Sequence, residues 1–186
     1  MNEAVKVLVP LAQGCEELEA ITIIDLLRRA SFDVTTAGLD NQPVKASRGT
    51  VLIPDMDLTQ ALLDKYHLFV MPGGLPGADN LANDERIVNL IQSMVKADKY
   101  VAAICAAPKV LAKAGVLEGK KATSYPGVLD SMEVPRMTCT GAAVEVDGKI
   151  VTSRGPGTAM DFALALIALL SNAETRTKVE KGLVRD

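Results

Sequence analysis

YVAAICAAPKVLAKAG, residues 100–115, changes character halfway along: the apolar run YVAAIC gives way after Cys105 to a small-residue stretch, 106–114, that closes on Gly115. A short apolar run bounded by a turn reads as a buried strand, and the stretch after it as a helix ended by glycine. The same passage recurs along the chain. Residues 5–11 form a β-branched run broken by Gly14 and followed by an amphipathic stretch at 17–30, and HLFVM at 67–71 stops at Pro72-Gly73-Gly74. Further strands are expected at 33–39, 144–146 and 150–153, and a hairpin at 44–47 and 50–53 turning near Arg48-Gly49. Helices are expected at 58–63, 84–97 and 156–170, with a polar tail helix reaching Lys181. Repeated strand-to-helix alternation predicts an α/β fold, a mostly parallel sheet with helices on both faces.

At 186 residues with 48% hydrophobic content, the chain fits one domain, 1–186, without a linker, repeat or low-complexity tract. Twenty basic against twenty-three acidic residues give a net charge of −3, without the basic excess of a nucleic-acid binder, and aromatic residues at 3% leave few stacking platforms. The longest apolar run, FALALIALL at 162–170, is roughly half the ~20 residues that span a bilayer. The amino-terminal MNEAVKVLVPLAQGCEELE is wrong for a secretory signal, so a cytoplasmic location without a membrane partner is expected. Cys15, Cys105 and Cys139 are odd in number and widely spaced, which suggests neither a disulfide framework nor a zinc site.

In a doubly wound sheet function collects where strands turn into helices, here at 13–19, 72–79 and 105–108. Cys105 closes a strand and opens a helix, the geometry of a nucleophile elbow, where the helix start and its unpaired N–H groups favour a thiolate. The same residue type at a strand end also serves as a small buried hydrophobe. His67, the one histidine, begins its strand while Cys105 ends its own, so a cysteine–histidine dyad is disfavoured. A carboxyl must substitute, from Glu16, Glu17 or Glu19. Helical spacing puts Glu16 and Glu19 on the arc of Ile23, Leu27 and Ala30, where desolvation raises an acid's pKa and lets it donate to a thiolate. Acids in a first helical turn also simply complement the dipole. The run PGGLPGADNL at 72–81 lets backbone N–H groups approach an oxyanion, but fits neither phosphate-loop nor dinucleotide spacing. SRGPGT at 153–158 places Pro156 and Gly157 ahead of the last apolar helix, a helix-initiating role. Cys15 and Cys139 lack a comparable setting; Cys15, near the same crevice, offers a second oxidisable thiol, but packing is the favoured reading of both.

Taken together, QGCEELEAITIIDLLRRA at 13–30, MPGGLPGADNL at 71–81, AAICAAP at 102–108, TSYP at 123–126 and TSRGPGTAMDFAL at 152–164 resemble, in colinear order, the ThiJ/PfpI superfamily in its DJ-one branch, that of the parkinsonism-associated deglycase. The resemblance implies a flavodoxin-like sandwich and a homodimer with sites near the subunit interface. It also implies Cys105 as nucleophile and Glu19 as the protonated acid beside it. Gly73, Gly74, Ala106, Tyr125 and Pro156 become the substrate- or oxyanion-binding positions, with the backbone donors at Gly74 and Ala106. Tyr125 stands where members with a histidine in this segment carry it, and Ala106 follows the cysteine where the protease branch has histidine, so proteolysis is disfavoured. The implied activity is conversion of glyoxal or methylglyoxal, or of early glycation adducts, to hydroxy acids without a cofactor or metal. The alternative it implies is an oxidative-stress sensor or redox-regulated chaperone acting through oxidation of Cys105.

Overall fold

Strand β1, Lys6–Leu11, turns Val7, Val9 and Leu11 to one face and Leu8 to the other, as the period of two requires. The alternation is kept across the sheet: Leu68, Val70, Ala102, Ile104 and Val151 join the first face, and Phe69, Met71, Val101, Ala103 and Ile150 the second. Both sets are buried, so each face needs its own helical cover.

In the computed structural model residues 4–185 are described, so the first three residues of the amino-terminal stretch read above lie outside it. After β1 come α1 (Glu17–Arg29), β2 (Asp33–Gly38), the paired β3 (Val44–Lys45) and β4 (Val51–Leu52), β5 (Met56–Asp57) and α2 (Leu58–Ala61). The middle of the chain supplies β6 (Leu68–Met71), α3 (Gly77–Asn83), α4 (Glu85–Lys96), β7 (Tyr100–Ile104) and α5 (Pro108–Lys113). The last third holds β8 (Lys121–Ala122), β9 (Thr138–Cys139), β10 (Val144–Asp147), β11 (Ile150–Ser153), α6 (Ala159–Leu170) and α7 (Ala173–Gly182). The main sheet has seven strands in the order β10-β11-β7-β6-β1-β2-β5, parallel except for β10 against β11. Helices α1 and α6 cover the first face with Ile23, Leu27, Phe162 and Leu166, while α2, α3, α4 and α5 cover the second with Leu58, Leu81, Ile91 and Leu111. No helix among the described residues is long and apolar enough to cross a membrane.

Because β1 is flanked by β2 on one side and β6 on the other, the winding reverses there. A crevice therefore opens beyond the carboxyl ends of β1, β6 and β7. The structure adds elements that the sequence pattern did not indicate. β5, β8 and β9 are two residues long, too short to show a period. Helix α3 lies inside the glycine- and proline-rich run and has no side-chain cap to mark its start. Two expected helices begin late: 106–114 is helical only from Pro108, a favoured first position, and 156–170 opens with a 3₁₀ turn at Pro156–Thr158.

Candidate active site

Strand β7 ends at Ile104, and Cys105 takes the left-handed conformation, φ +64°, at the turn into α5. For a residue with a Cβ this costs on the order of 1–2 kcal/mol, so neighbours must hold it. Its N–H donates to the carbonyl of Ser153 on β11 at 2.9 Å, and its carbonyl accepts from Tyr125 N–H at 2.8 Å. On the other side Gly73 follows β6 so closely that a Cβ there would lie 2.8 Å from that of Cys105 and 2.9 Å from the Ala106 nitrogen. Gly74, at φ +87°, is pressed as tightly onto the loop after β1, where a Cβ would stand 2.4 Å from the Glu16 nitrogen. The Glu16 N–H donates to the Gly73 carbonyl at 2.9 Å, closing the junction of three loops.

Helix α1 delivers the acid to this junction. Glu16 is the N-cap, its carboxylate accepting the Glu19 N–H at 2.8 Å, which turns Glu19 inward one helical turn later. Glu19 is fully buried: Oε2 accepts the Gly73 N–H at 2.7 Å, while Oε1 has no conventional hydrogen-bond partner. The carboxyl also interacts with the Cys105 thiol. Burial pushes Glu19 up to about 7, against the downward pull of the Gly73 N–H and Cys105. Glu17 points the other way: against the upward push of desolvation, its own N–H, the Arg48 and Thr50 N–H groups and Ser47 Oγ donate to its carboxylate and hold it down at about 2.

The electrostatics of Cys105 differ from those expected of a helix start. Burial, followed by the charge of an ionised Glu19 and its hydrogen bond, pushes the thiol up to about 12; the backbone N–H groups of Gly74 and Ala106 act in the opposite direction. Helix α5 itself begins only at Pro108, three residues after Cys105. Cys105 and Glu19 thus form a coupled pair, and the thiolate is favoured when the carboxyl holds the proton.

Gly74 and Ala106 stand as donors toward the sulfur. Gly73 does not: its N–H is taken by Glu19, and its part in the junction is to leave room for Cys105. Tyr125 joins the site through its backbone, with its side chain 53% exposed and its ring against Gly155. Pro156 and Tyr125 line a pocket of about 320 Å³ together with Pro126, Arg154, Gly155, Gly157 and Thr158. Arg154 gives no signal of a site in the sequence, because only the packing of β11 beside β7 brings it to this pocket. His67 sits at the opposite end of the sheet, its Nδ1 accepting the Lys6 N–H at 3.0 Å. Cys15 is buried and pushed up to about 11, chiefly by desolvation. Cys139 is half-exposed and interacts with Asp130, so it is not a fully packed core thiol. Among the described residues, no group of three or more histidine, cysteine, aspartate or glutamate side chains is placed to hold a metal ion.

A flavodoxin-like sheet with a left-handed cysteine at one strand end and a buried carboxyl against it defines a class of elbow-thiol proteins. The chain belongs to the DJ-1/PfpI family, whose model matches residues 5–169. It is 43% identical over 178 residues to the protein dj-1beta of Drosophila melanogaster, covering 95% of each chain. The crystal structure of Drosophila melanogaster DJ-1beta superposes with a TM-score of 0.94 at 41% identity, covering 99% of this chain and 100% of that one. A relative from Caenorhabditis elegans, 32% identical over 92% of this chain and 91% of its own length, is named glutathione-independent glyoxalase DJR-1.2.

Proposed function

We propose that this protein is a cofactor-independent glyoxalase that converts methylglyoxal or glyoxal to the hydroxy acid through Cys105. The observation that carries the reading is the pairing of an elbow cysteine with a fully buried carboxyl at about 7, the range useful for moving protons at neutral pH. The Cys105 thiolate adds to the aldehyde carbon of methylglyoxal, and the N–H groups of Gly74 and Ala106 hold the alkoxide of the resulting hemithioacetal. Glu19, neutral beside the thiolate, gives its proton to this alkoxide; the carboxylate so formed removes the proton from the former aldehyde carbon and returns it to the neighbouring ketone carbon, while the hydroxyl proton of the first carbon passes to the oxygen of the second. The first carbon is thereby oxidised to a thioester and the second reduced to an alcohol. Water cleaves the thioester, releasing lactate and the free thiol, so the sum is methylglyoxal plus water to lactate with no outside oxidant. Early glycation adducts present the same carbonyl chemistry on a larger leaving group, and deglycation is the corresponding proposal for them. The experiment is lactate release from methylglyoxal without glutathione or added metal. Sustained turnover is expected, and its absence would overturn the reading.

The same proposal includes a homodimer. On α1, Leu18 and Ile21 are about half-exposed one turn apart, and Ile53 next to β4 is 83% exposed, apolar surface that an isologous partner would cover. Sedimentation at micromolar concentration is expected to give twice the chain mass. Replacing Leu18 and Ile21 together by aspartate should shift the equilibrium to monomer. A wild-type monomer at those concentrations would contradict the proposal.

A further inference from the structure

We propose that Arg154 is a specificity-determining residue, and that the site prefers carbonyl substrates carrying a carboxylate a few bonds from the reacting aldehyde. The proposal rests on the glyoxalase reading above. Three observations support it, and the first is position. Strands β11 and β7 run parallel with Ser153 opposite Ile104, so Arg154 and Cys105 are the next residues on adjacent strand ends, which lie about 4.8 Å apart. The Cys105 N–H bond to Ser153 ties the two ends together, and Arg154 is fixed by its own N–H to the Ala143 carbonyl at 3.2 Å.

The second observation is charge. Arg154 Nη1 donates to the Gly141 carbonyl at 3.1 Å, which orients the guanidinium. Among the described residues no carboxylate is within ion-pair distance of it. The pocket that Arg154 lines with Tyr125 and Pro156 has no acidic residue in its wall. Arg154 thus puts a cation without a carboxylate partner on the acid-free wall of a pocket that is tied to the Cys105 elbow by the Tyr125 N–H bond to the Cys105 carbonyl.

The third observation is size and shape. A pocket of about 320 Å³ lies at the lower end of the usual range for small-molecule sites, roughly 300–1,000 Å³, and exceeds what a three-carbon dicarbonyl fills. Its rear wall is rigid: Ser153 Oγ and Thr158 Oγ1 are 2.7 Å apart, and the Gly155 N–H donates to Thr158 Oγ1 at 3.1 Å. A single planar guanidinium, rather than a cluster of cations, matches a carboxylate monoanion in fork geometry.

The test uses 4,5-dioxovalerate, an α-oxoaldehyde ending in a carboxylate, against its methyl ester. The chemistry is unchanged: the aldehyde carbon is oxidised, the ketone carbon reduced, and water supplies the oxygen, giving 2-hydroxyglutarate from the acid. In the wild type kcat/KM is expected to favour the acid by roughly tenfold, the size of one charge-assisted hydrogen bond in a partly solvated site. In Arg154→Gln the ratio should fall to near one, and Arg154→Lys should recover part of it. A wild-type ratio near one, or an unchanged ratio in Arg154→Gln, would overturn the proposal while leaving the glyoxalase reading intact. Should no α-oxoaldehyde be turned over at all, that reading fails. Titration of Cys105→Ser with 2-hydroxyglutarate against 2-hydroxyvalerate then decides the site alone. Preference for the dicarboxylate that disappears on Arg154→Gln supports it, and equal or no binding overturns it.

Discussion

Cys105→Ser is expected to lower methylglyoxal turnover by at least about a thousandfold while leaving the fold in place. The exchange replaces one atom at a position where space is set by Gly73 and Ala106, and oxygen is smaller than sulfur, so the elbow is not overfilled. What changes is acidity. A hydroxyl at this place needs a base to take its proton, and the only histidine lies at the far end of the sheet with Nδ1 bonded to the Lys6 N–H. Glu19, at about 7, is far too weak a base to ionise an alcohol. Lactate release measured against enzyme concentration checks the expectation, with the melting transition of the variant as control. Retention of a tenth or more of the wild-type rate would mean that the sulfur is not the nucleophile.

The geometry behind that expectation was legible in the sequence to very different depths. The run YVAAIC followed by small residues places Cys105 at a strand end, and the structure puts it there in the left-handed conformation. The central strands β1, β6 and β7 have an apolar run to announce them, β2 and β10 only alternating β-branched residues, and β5, two residues at the sheet edge, neither. Choosing among Glu16, Glu17 and Glu19 lay beyond periodicity, because the choice is made by the N-cap. Glu16 spends its carboxylate on the Glu19 N–H, Glu17 turns outward to the hairpin loop at 47–50, and only Glu19 is carried into the junction. The resemblance selected Glu19 where helical spacing left two candidates.

The thiol's acidity was the least legible property. A helix start predicts a lowered value, but the helix begins two residues late and the sulfur is buried beside an acid whose charge opposes a thiolate and whose proton favours one. Both facts depend on loops brought together from three parts of the chain. Arg154 was hidden for the same reason: a residue in a helix-leading turn becomes a pocket residue only once β11 is seen to lie beside β7.

The sharpest remaining expectation concerns where the shared proton sits, and Glu19→Leu reports it by sign. With one proton between them, the pair is either thiolate with carboxylic acid or thiol with carboxylate. Gly74 and Ala106 direct two N–H groups at the sulfur, whereas the carboxyl receives one, from Gly73, and leaves buried Oε1 without a conventional partner. A proton on Oε1 gives that atom a donor's role toward the sulfur, so the thiolate with neutral Glu19 is the expected arrangement. Thiolate absorbance in the wild type should then appear with the first proton lost by the pair, below the value of about 12 that the thiol takes beside an ionised Glu19. Removing the donor leaves a buried thiol without it, and the absorbance should move to higher pH. Were the carboxylate the resting form, its removal would relieve the repulsion that holds the thiol near 12, and the absorbance should move down. Turnover in Glu19→Leu should drop by at least about a hundredfold, the usual contribution of a positioned acid–base group. Stability supplies an independent reading. Folding raises Glu19 from its ordinary 4.5 to about 7, so its stabilising contribution is complete below the lower value and is lost as pH rises through the upper. Relative to Glu19→Gln, which does not titrate, wild-type stability is expected to fall by about 3 kcal/mol across that interval. A flat difference between pH 4 and 8, with thiolate absorbance moving down in Glu19→Leu, would remove Glu19 from the proton transfer and make Glu16, its N-cap, the next carboxyl to replace.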